Sequence, residues 1–166
     1  MRTDEILENS AYAFEMVARA VQQQGFNLES HAVLMASSVN AGLALEFYAK
    51  CLSQLSIGHY PPSHNLQTIL QGLGPEIQAN LSVAFNRSLT DELREQIRHV
   101  ETQSGTTIDV AFNSVVTNWS RIFVEGRYWF EPKKTNSMPP LHWFFFDSLV
   151  RVLRDAMAKQ RASQVV

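Results

Sequence analysis

The chain has one long stretch, over residues 28–55, that is apolar all round and has almost no polar face. From Ser30 onward, only Glu46 and Lys50 carry a full charge there. A surface helix keeps a charged face opposite its apolar stripe, so this stretch predicts a helix that others must enclose. Its charges and small polar residues leave no run of about 18 uncharged apolar residues, which excludes a membrane span. We therefore expect a central core helix.

Apolar residues also recur at helical spacing before and after this stretch. They predict one helix ahead of it and several behind it, and no alternating pattern supports a sheet. Helix starts are predicted at Thr3, Ser63, residue 76, Thr90 and Met138. A further start is predicted at Thr106, which with Asp109 forms an approximate capping box. Helices joined by short loops predict an all-α fold, an antiparallel up-and-down bundle of about five major helices plus short ones.

Composition and charge limit the number of domains and the kinds of function further. At 166 residues, with 45% hydrophobic residues, the chain can bury one sizeable core, so we expect a single domain over residues 1–166. A formal net charge of -2 gives no overall electrostatic reason to bind nucleic acid. The single cysteine, Cys51, excludes a disulfide or a thiolate metal cluster within one chain and is expected to be a small buried hydrophobe. The acidic, polar N-terminus predicts a cytoplasmic location and no secretory signal.

Two blocks of sequence occur in an order and spacing that a known family shares. AGLALEFYAKCL at 41–52 is followed by a Gly-containing turn and by HNLQTIL at 64–70, and GRYWFE stands at 126–131. These blocks resemble HEPN-domain proteins, in which an apolar helix carrying Glu and Lys precedes a His-Asx-Leu helix start. The resemblance spans residues 28 to about 160 and implies an antiparallel helical bundle that commonly forms a homodimer.

The same resemblance implies a set of functions. The family includes RNA-cleaving toxins, partners of minimal nucleotidyltransferases, and members with no demonstrated activity. We expect a non-catalytic module associated with RNA or a nucleotide, of the kind found in toxin–antitoxin or defence systems, with no cofactor. Two alternatives stay open: a metal-independent endoribonuclease, and a structural accessory partner of a nucleotidyltransferase encoded elsewhere.

The family's ribonucleases carry an Arg followed four to six residues later by a His, and Arg94 and His99 match that spacing. In such a pair, His moves a proton at the ribose hydroxyl or leaving oxygen while Arg stabilises charge on the phosphate. On a regular helix the two side chains point about 140° apart, so a second subunit or a distortion would have to complete the site. Glu95 repels a phosphodiester. The alternative is a solvated face with weak ion pairs.

Four residues are candidates for a ligand site. Glu46 and Lys50 lie four apart and predict a buried ion pair, while the functional alternative is a pocket where Lys50 and Arg127 hold a phosphate. His64 either fixes a turn against the central helix or contacts the ligand. Tyr128 belongs to a group of aromatic and cationic residues suited to single-stranded nucleic acid. No metal site is predicted, because no carboxylate or cysteine lies between the two histidines at 59 and 64.

Four adjacent aromatic residues, Trp143 to Phe146, cover a full helical turn. An isolated bundle is not expected to hide all four side chains, because each points in a different direction around the helix. Large exposed apolar patches mark contact surfaces. The run therefore predicts core or subunit interface, and with it dimerisation.

Overall fold

The computed structural model describes residues 2–23, 31–125 and 143–164, which form seven α-helices and no strand. The helices are α1 (Thr3–Gln23), α2 (His31–Ile57), α3 (Leu66–Gln71), α4 (Pro75–Ser88), α5 (Asp91–Ser104), α6 (Phe112–Glu125) and α7 (Trp143–Ser163). The prediction of an all-α bundle is confirmed. Within the described helices, none has the length and hydrophobicity needed to cross a membrane.

Helix α2 lies at the centre of the bundle. It packs against α1, α3, α6 and α7. Its buried apolar side chains cover about half of its circumference: Ala41, Ala44, Leu45, Tyr48, Ala49, Cys51, Leu52 and Leu55. The buried residues Glu46, Lys50 and Ser53 extend this covered surface, whereas Leu43 and Phe47 on the remaining flank are half-buried. The buried hydroxyl of Ser37 donates a hydrogen bond of 2.9 Å to the carbonyl of Ala18 in α1. A small polar residue is thus satisfied without opening the core, as buried polar groups require. The prediction of a central core helix is confirmed, and one flank of it is only half covered within the chain.

A network of charged and polar side chains joins α1 to both α2 and α7. The buried carboxylate of Glu15 accepts a hydrogen bond of 2.6 Å from the hydroxyl of Tyr48 and one of 2.8 Å from Nε of Arg19. Arg19 also pairs with Asp147 on α7 at 2.7 Å and lies over the ring of Phe146. Burial, together with the bond to Glu15, raises the pKa of Tyr48. The network orients three helices around one carboxylate.

Cys51 lies fully buried in α2, where burial raises the pKa of its thiol to about 12. A thiol with so high a pKa is almost wholly protonated at neutral pH, and the thiolate is the reactive form. Its Sγ lies 3.3 Å from the carbonyl oxygen of Asp4. The expectation of a small buried hydrophobe is confirmed.

Two predicted helix starts can be compared directly with the observed caps. Thr90 caps α5, since its hydroxyl accepts a hydrogen bond of 3.2 Å from the backbone N–H of Leu93. For α3 the predicted cap, Ser63, is wrong. The cap is Asn65, whose side-chain oxygen accepts from the N–H of Thr68 at 2.9 Å, while the hydroxyl of Ser63 accepts from the N–H of Asn65.

The predicted capping box at Thr106 and Asp109 is also wrong, because α6 begins only at residue 112. The backbone before it is held to α5, where a carboxylate oxygen of Glu101 accepts a hydrogen bond of 2.7 Å from the N–H of Ile108. Asp109 accepts instead from the N–H of Ala111 at 2.9 Å. A segment without regular secondary structure, residues 106–111, therefore precedes this helix.

Aromatic side chains fill the space between α6, α7 and α4. The ring of Trp119 lies 6.1 Å from that of Trp143 and 5.7 Å from that of Phe146. The ring of Phe85 lies 6.1 Å from that of Phe145. Tilted and edge-on aromatic pairs at these separations are favourable. This cluster joins the second half of the chain to the core.

The cluster places residues 143–146 in and against the core. Phe145 and Phe146 are buried within a single chain, Trp143 and Phe144 are half-buried, and Nε1 of Trp143 donates to the hydroxyl of Ser38 at 3.2 Å. Of the two interpretations of this run, core or subunit interface, the structure supports the core, because aromatic rings on α4 and α6 receive it, although two of the four side chains stay half-buried. The run therefore gives no support for dimerisation.

Candidate functional site

The carboxylate of Glu46 is the centre of a small polar cluster on α2. Glu46 is 2% exposed, and its Oε1 accepts a hydrogen bond of 2.7 Å from Nζ of Lys50, which is 7% exposed. Nδ1 of His64 lies 3.0 Å from the same oxygen. The buried ion pair and the contact of His64 with the central helix are both as expected from the sequence. His64 ties the turn before α3 to α2.

Aromatic rings enclose the ammonium group of Lys50. Its Nζ lies 5.9 Å from the ring centroid of Phe47 and 5.7 Å from that of Tyr60. Cation–π contacts at these distances stabilise a partly desolvated ammonium. A phosphate approaching Lys50 would meet the adjacent carboxylate of Glu46 and be repelled. The geometry favours the structural interpretation of this lysine over phosphate binding.

The rest of the predicted ligand site is only partly described. The side chain of His64 is 66% exposed, so one edge of the cluster is open to solvent. Arg127 and Tyr128 lie outside the described residues. Among the residues that are described, no three His, Cys, Asp or Glu side chains are grouped so as to hold a metal ion.

The proposed nuclease pair lies on α5, where Arg94 has a structural role. Its Nε donates to the carbonyl of Leu89 at 3.2 Å and its Nη2 to the carbonyl of Asn86 at 3.3 Å. Carbonyl groups at a helix C-terminus lack partners within the helix, and a cationic side chain that binds them stabilises that end. Arg94 thus caps α4.

His99 lies exposed on the same helix. Because α5 is a regular helix from Asp91 to Ser104, the side chains of Arg94 and His99 point about 140° apart. Glu95 is exposed as well and pairs with Arg98. Within one chain, the structure does not bring Arg94 and His99 together in a cleft.

A cavity of about 260 Å³ lies between α4 and α7, and sequence reasoning missed it. Its walls are apolar on both sides, with Ile77, Leu81, Val83 and Ala84 from α4 and Val152 and Ala156 from α7. Two cationic side chains, Arg87 and Lys159, line it together with Asp155 and Asn80. The sequence carries one signal for this cavity. On α4, apolar residues cover more of the helix than packing against the core uses, and Val83 is 48% exposed.

Arg87 and Lys159 differ from the other cations described so far. Lys50, Arg94 and Arg19 all donate to oxygen atoms within the chain. Within the described residues, Arg87 and Lys159 form neither a hydrogen bond nor an ion pair through their side chains. Their charges are therefore available to a ligand.

Comparison of the chain with known protein families, with curated proteins and with solved structures gave no match. Membership of the HEPN-domain family therefore stays a prediction, carried by the sequence blocks described above.

Replacing Lys50 tests the structural interpretation of the Glu46 cluster. We expect Lys50→Met to lower the free energy of unfolding by about 3 to 5 kcal/mol, because it leaves the buried carboxylate without its main partner. Glu46→Gln in the same chain should restore part of that loss. Urea denaturation followed by circular dichroism measures both.

The exposed pair on α5 supplies the matched control. Arg98→Gln also breaks an ion pair within one helix, but both partners are exposed. Its effect should therefore stay under about 1 kcal/mol. A Lys50→Met protein as stable as the parent would contradict the structural role of Lys50.

Proposed function

We propose that this chain is a HEPN-like, non-catalytic binding module that works as a homodimer. The non-catalytic part is supported by the placement of the candidate nuclease residues. The guanidinium of Arg94 is occupied by two carbonyl groups of α4, and His99 points away from it. The homodimer is supported by the family resemblance.

The ligand we propose is a mononucleotide, bound in the cavity between α4 and α7. The observation that carries this proposal is the presence of two unengaged cations, Arg87 and Lys159, at one apolar cavity. Arginine and lysine are the usual binders of phosphate, and apolar walls suit the faces of a base. Asp155 supplies an acceptor for a ribose hydroxyl or an exocyclic amine.

The size of the cavity favours a small ligand over a long strand. Its volume is about 260 Å³, just below the several hundred cubic ångströms typical of small-molecule sites. A protein that binds long RNA presents an extended basic surface, which a formal net charge of -2 does not favour. A nucleotide site is compatible with an accessory role beside a nucleotidyltransferase, because the substrates of such an enzyme are nucleotides.

Removing the two cavity cations tests the nucleotide site. We expect the parent protein to bind ATP, and Arg87→Gln with Lys159→Gln to weaken binding by at least about 10-fold, since each charged hydrogen bond contributes about 1.5–3 kcal/mol. Isothermal titration calorimetry measures the affinity.

The control for that experiment changes the net charge equally. Arg151 and Arg154 lie exposed on α7, outside the cavity lining. Replacing both with Gln should leave the affinity within about 2-fold, because only screened, long-range attraction is lost. Equal losses in both double variants, or a parent protein that binds no ATP, would contradict the site.

The ribonuclease alternative is favoured by one observation, the exposure of His99 to solvent and to any second subunit. Under our proposal, the purified protein does not cleave a fluorescent RNA in the presence of EDTA, and His99→Ala leaves that result unchanged. Cleavage that disappears in His99→Ala would identify a metal-independent ribonuclease and overturn the non-catalytic proposal. The variant keeps the fold, because His99 is exposed and no helix cap depends on it.

A further inference from the structure

The outer face of α1 carries an unusual number of exposed apolar side chains. Of the large hydrophobic residues described as exposed, four lie on this one helix: Ile6 at 46%, Tyr12 at 51%, Met16 at 48% and Val17 at 46%. Two exposed alanines, Ala13 and Ala20, lie among them. We call these six residues the α1 face. Contiguous exposed apolar surface of this kind marks a contact site.

The apolar surface continues onto α2. Val39, Leu43 and Phe47 follow one another at four-residue spacing on α2 and are each half-buried. The ring of Phe47 stacks on that of Phe14 of α1 at 5.6 Å, so the two helices form one joined surface. None of these side chains is charged.

We propose that the α1 face binds the α1 face of a second copy of this chain, with the two helices antiparallel about Ala13. The proposal rests on the homodimer put forward above and names its surface. A two-fold contact must be complementary to itself, because each residue meets a residue of the same patch.

The α1 face meets that requirement when Ala13, the midpoint of Thr3–Gln23, lies on the two-fold axis. Residues equally distant from Ala13 on either side then face each other. Ile6 faces Ala20 of the second copy, and Met16 faces Ser10. A large side chain meets a small one in these two pairs, which is how packed helices interdigitate. The same rule places Tyr12 opposite Phe14 and Val17 opposite Asn9.

The polar groups of α1 are compatible with this arrangement. Asn9 is exposed among the residues of the α1 face, and its amide is neutral. The nearby carboxylates are engaged within the chain, since Glu5 pairs with Arg2 and Glu8 with Arg161. An antiparallel pair also brings opposite ends of the two helix dipoles together, whereas a parallel pair would bring like ends together. A second copy can therefore cover the face without burying an unpaired charge.

The available area suits a weak, reversible dimer. Helix α1 has 21 residues. With a rise of about 1.5 Å per residue and a width of about 10 Å, its outer face covers about 300 Å². The half-buried side chains of Val39, Leu43 and Phe47 on α2 extend the contact beyond it. The two copies of α1 thus bury about 600 Å² in total, to which α2 adds, and interfaces below about 1200 Å² in total are typical of weak, reversible association.

Disulfide trapping tests the arrangement in the full chain. Under mild oxidation, Ala13→Cys should form a disulfide-linked dimer in most of the protein, because the two Cα atoms at the axis lie within about 7 Å. Ala20→Cys is the matched control on the same face. Its two copies would lie about 21 Å apart, beyond the reach of a disulfide. The buried thiol of Cys51 leaves the parent protein unlinked.

Sedimentation separates the failure of the surface from the failure of the homodimer. We expect a dimeric parent, and Met16→Glu to weaken dimerisation by about 100-fold, because two carboxylates become buried at the interface. Ile57→Glu places the same charge at an exposed apolar residue elsewhere and should stay dimeric. A dimeric Met16→Glu protein, or trapping of Ala20→Cys in place of Ala13→Cys, would overturn the surface alone. A monomeric parent would overturn the homodimer as well.

Discussion

The structure depends on the burial of α2, a helix that is apolar all round. Its side chains point toward α1, α3, α6 and α7, so neighbouring helices must shield it from water on several sides. Apolar surface removed from water contributes about 25 cal/mol per Å², and this helix supplies much of the buried core. The positions of these four neighbours follow from the need to cover it.

That constraint explains why most of the buried charges are paired and structural. Glu46 and Lys50 sit inside the covered region and satisfy each other, while Glu15 holds side chains from two helices. Arg161 makes a two-bond contact with Glu8 that ties α7 to α1. Charges used in this way hold the bundle together and are not free for a ligand.

Two features have no evident role in holding the bundle together, and these are the candidates for function. They lie in different places. The cavity with Arg87 and Lys159 lies between α4 and α7, and the α1 face lies on the outside of α1. A ligand and a second copy can therefore bind without competing for the same residues. This separation suits a module that assembles through one surface and binds through another.

The sequence predicts the parts of this structure that local pattern decides. The apolar composition of residues 28–55 predicts the core helix, and the four-residue spacing of Glu46 and Lys50 predicts their ion pair. The hydroxyl of Thr90, directly before a polar helical segment, predicts the cap of α5. The sequence does not distinguish Ser63 from Asn65 as the cap of α3, because both residue types cap helices well. A contact from α6 bears on which residue is the cap: the hydroxyl of Ser120 accepts a hydrogen bond of 2.8 Å from the N–H of Gln67. The burial of residues 143–146 and the cavity both depend on packing between segments far apart in the chain, which no local pattern reveals.

Hydrogen exchange along α2 tests the central claim most directly. Amide protons of a core helix packed against several neighbours exchange only when the whole domain unfolds, whereas those of an exposed helix exchange through local opening. We predict that the amides of α2 from residue 41 to residue 55 exchange at the rate of global unfolding and much more slowly than those of α5. Exchange in α2 as fast as in α5 would contradict the account, because it would show that the other helices do not enclose α2.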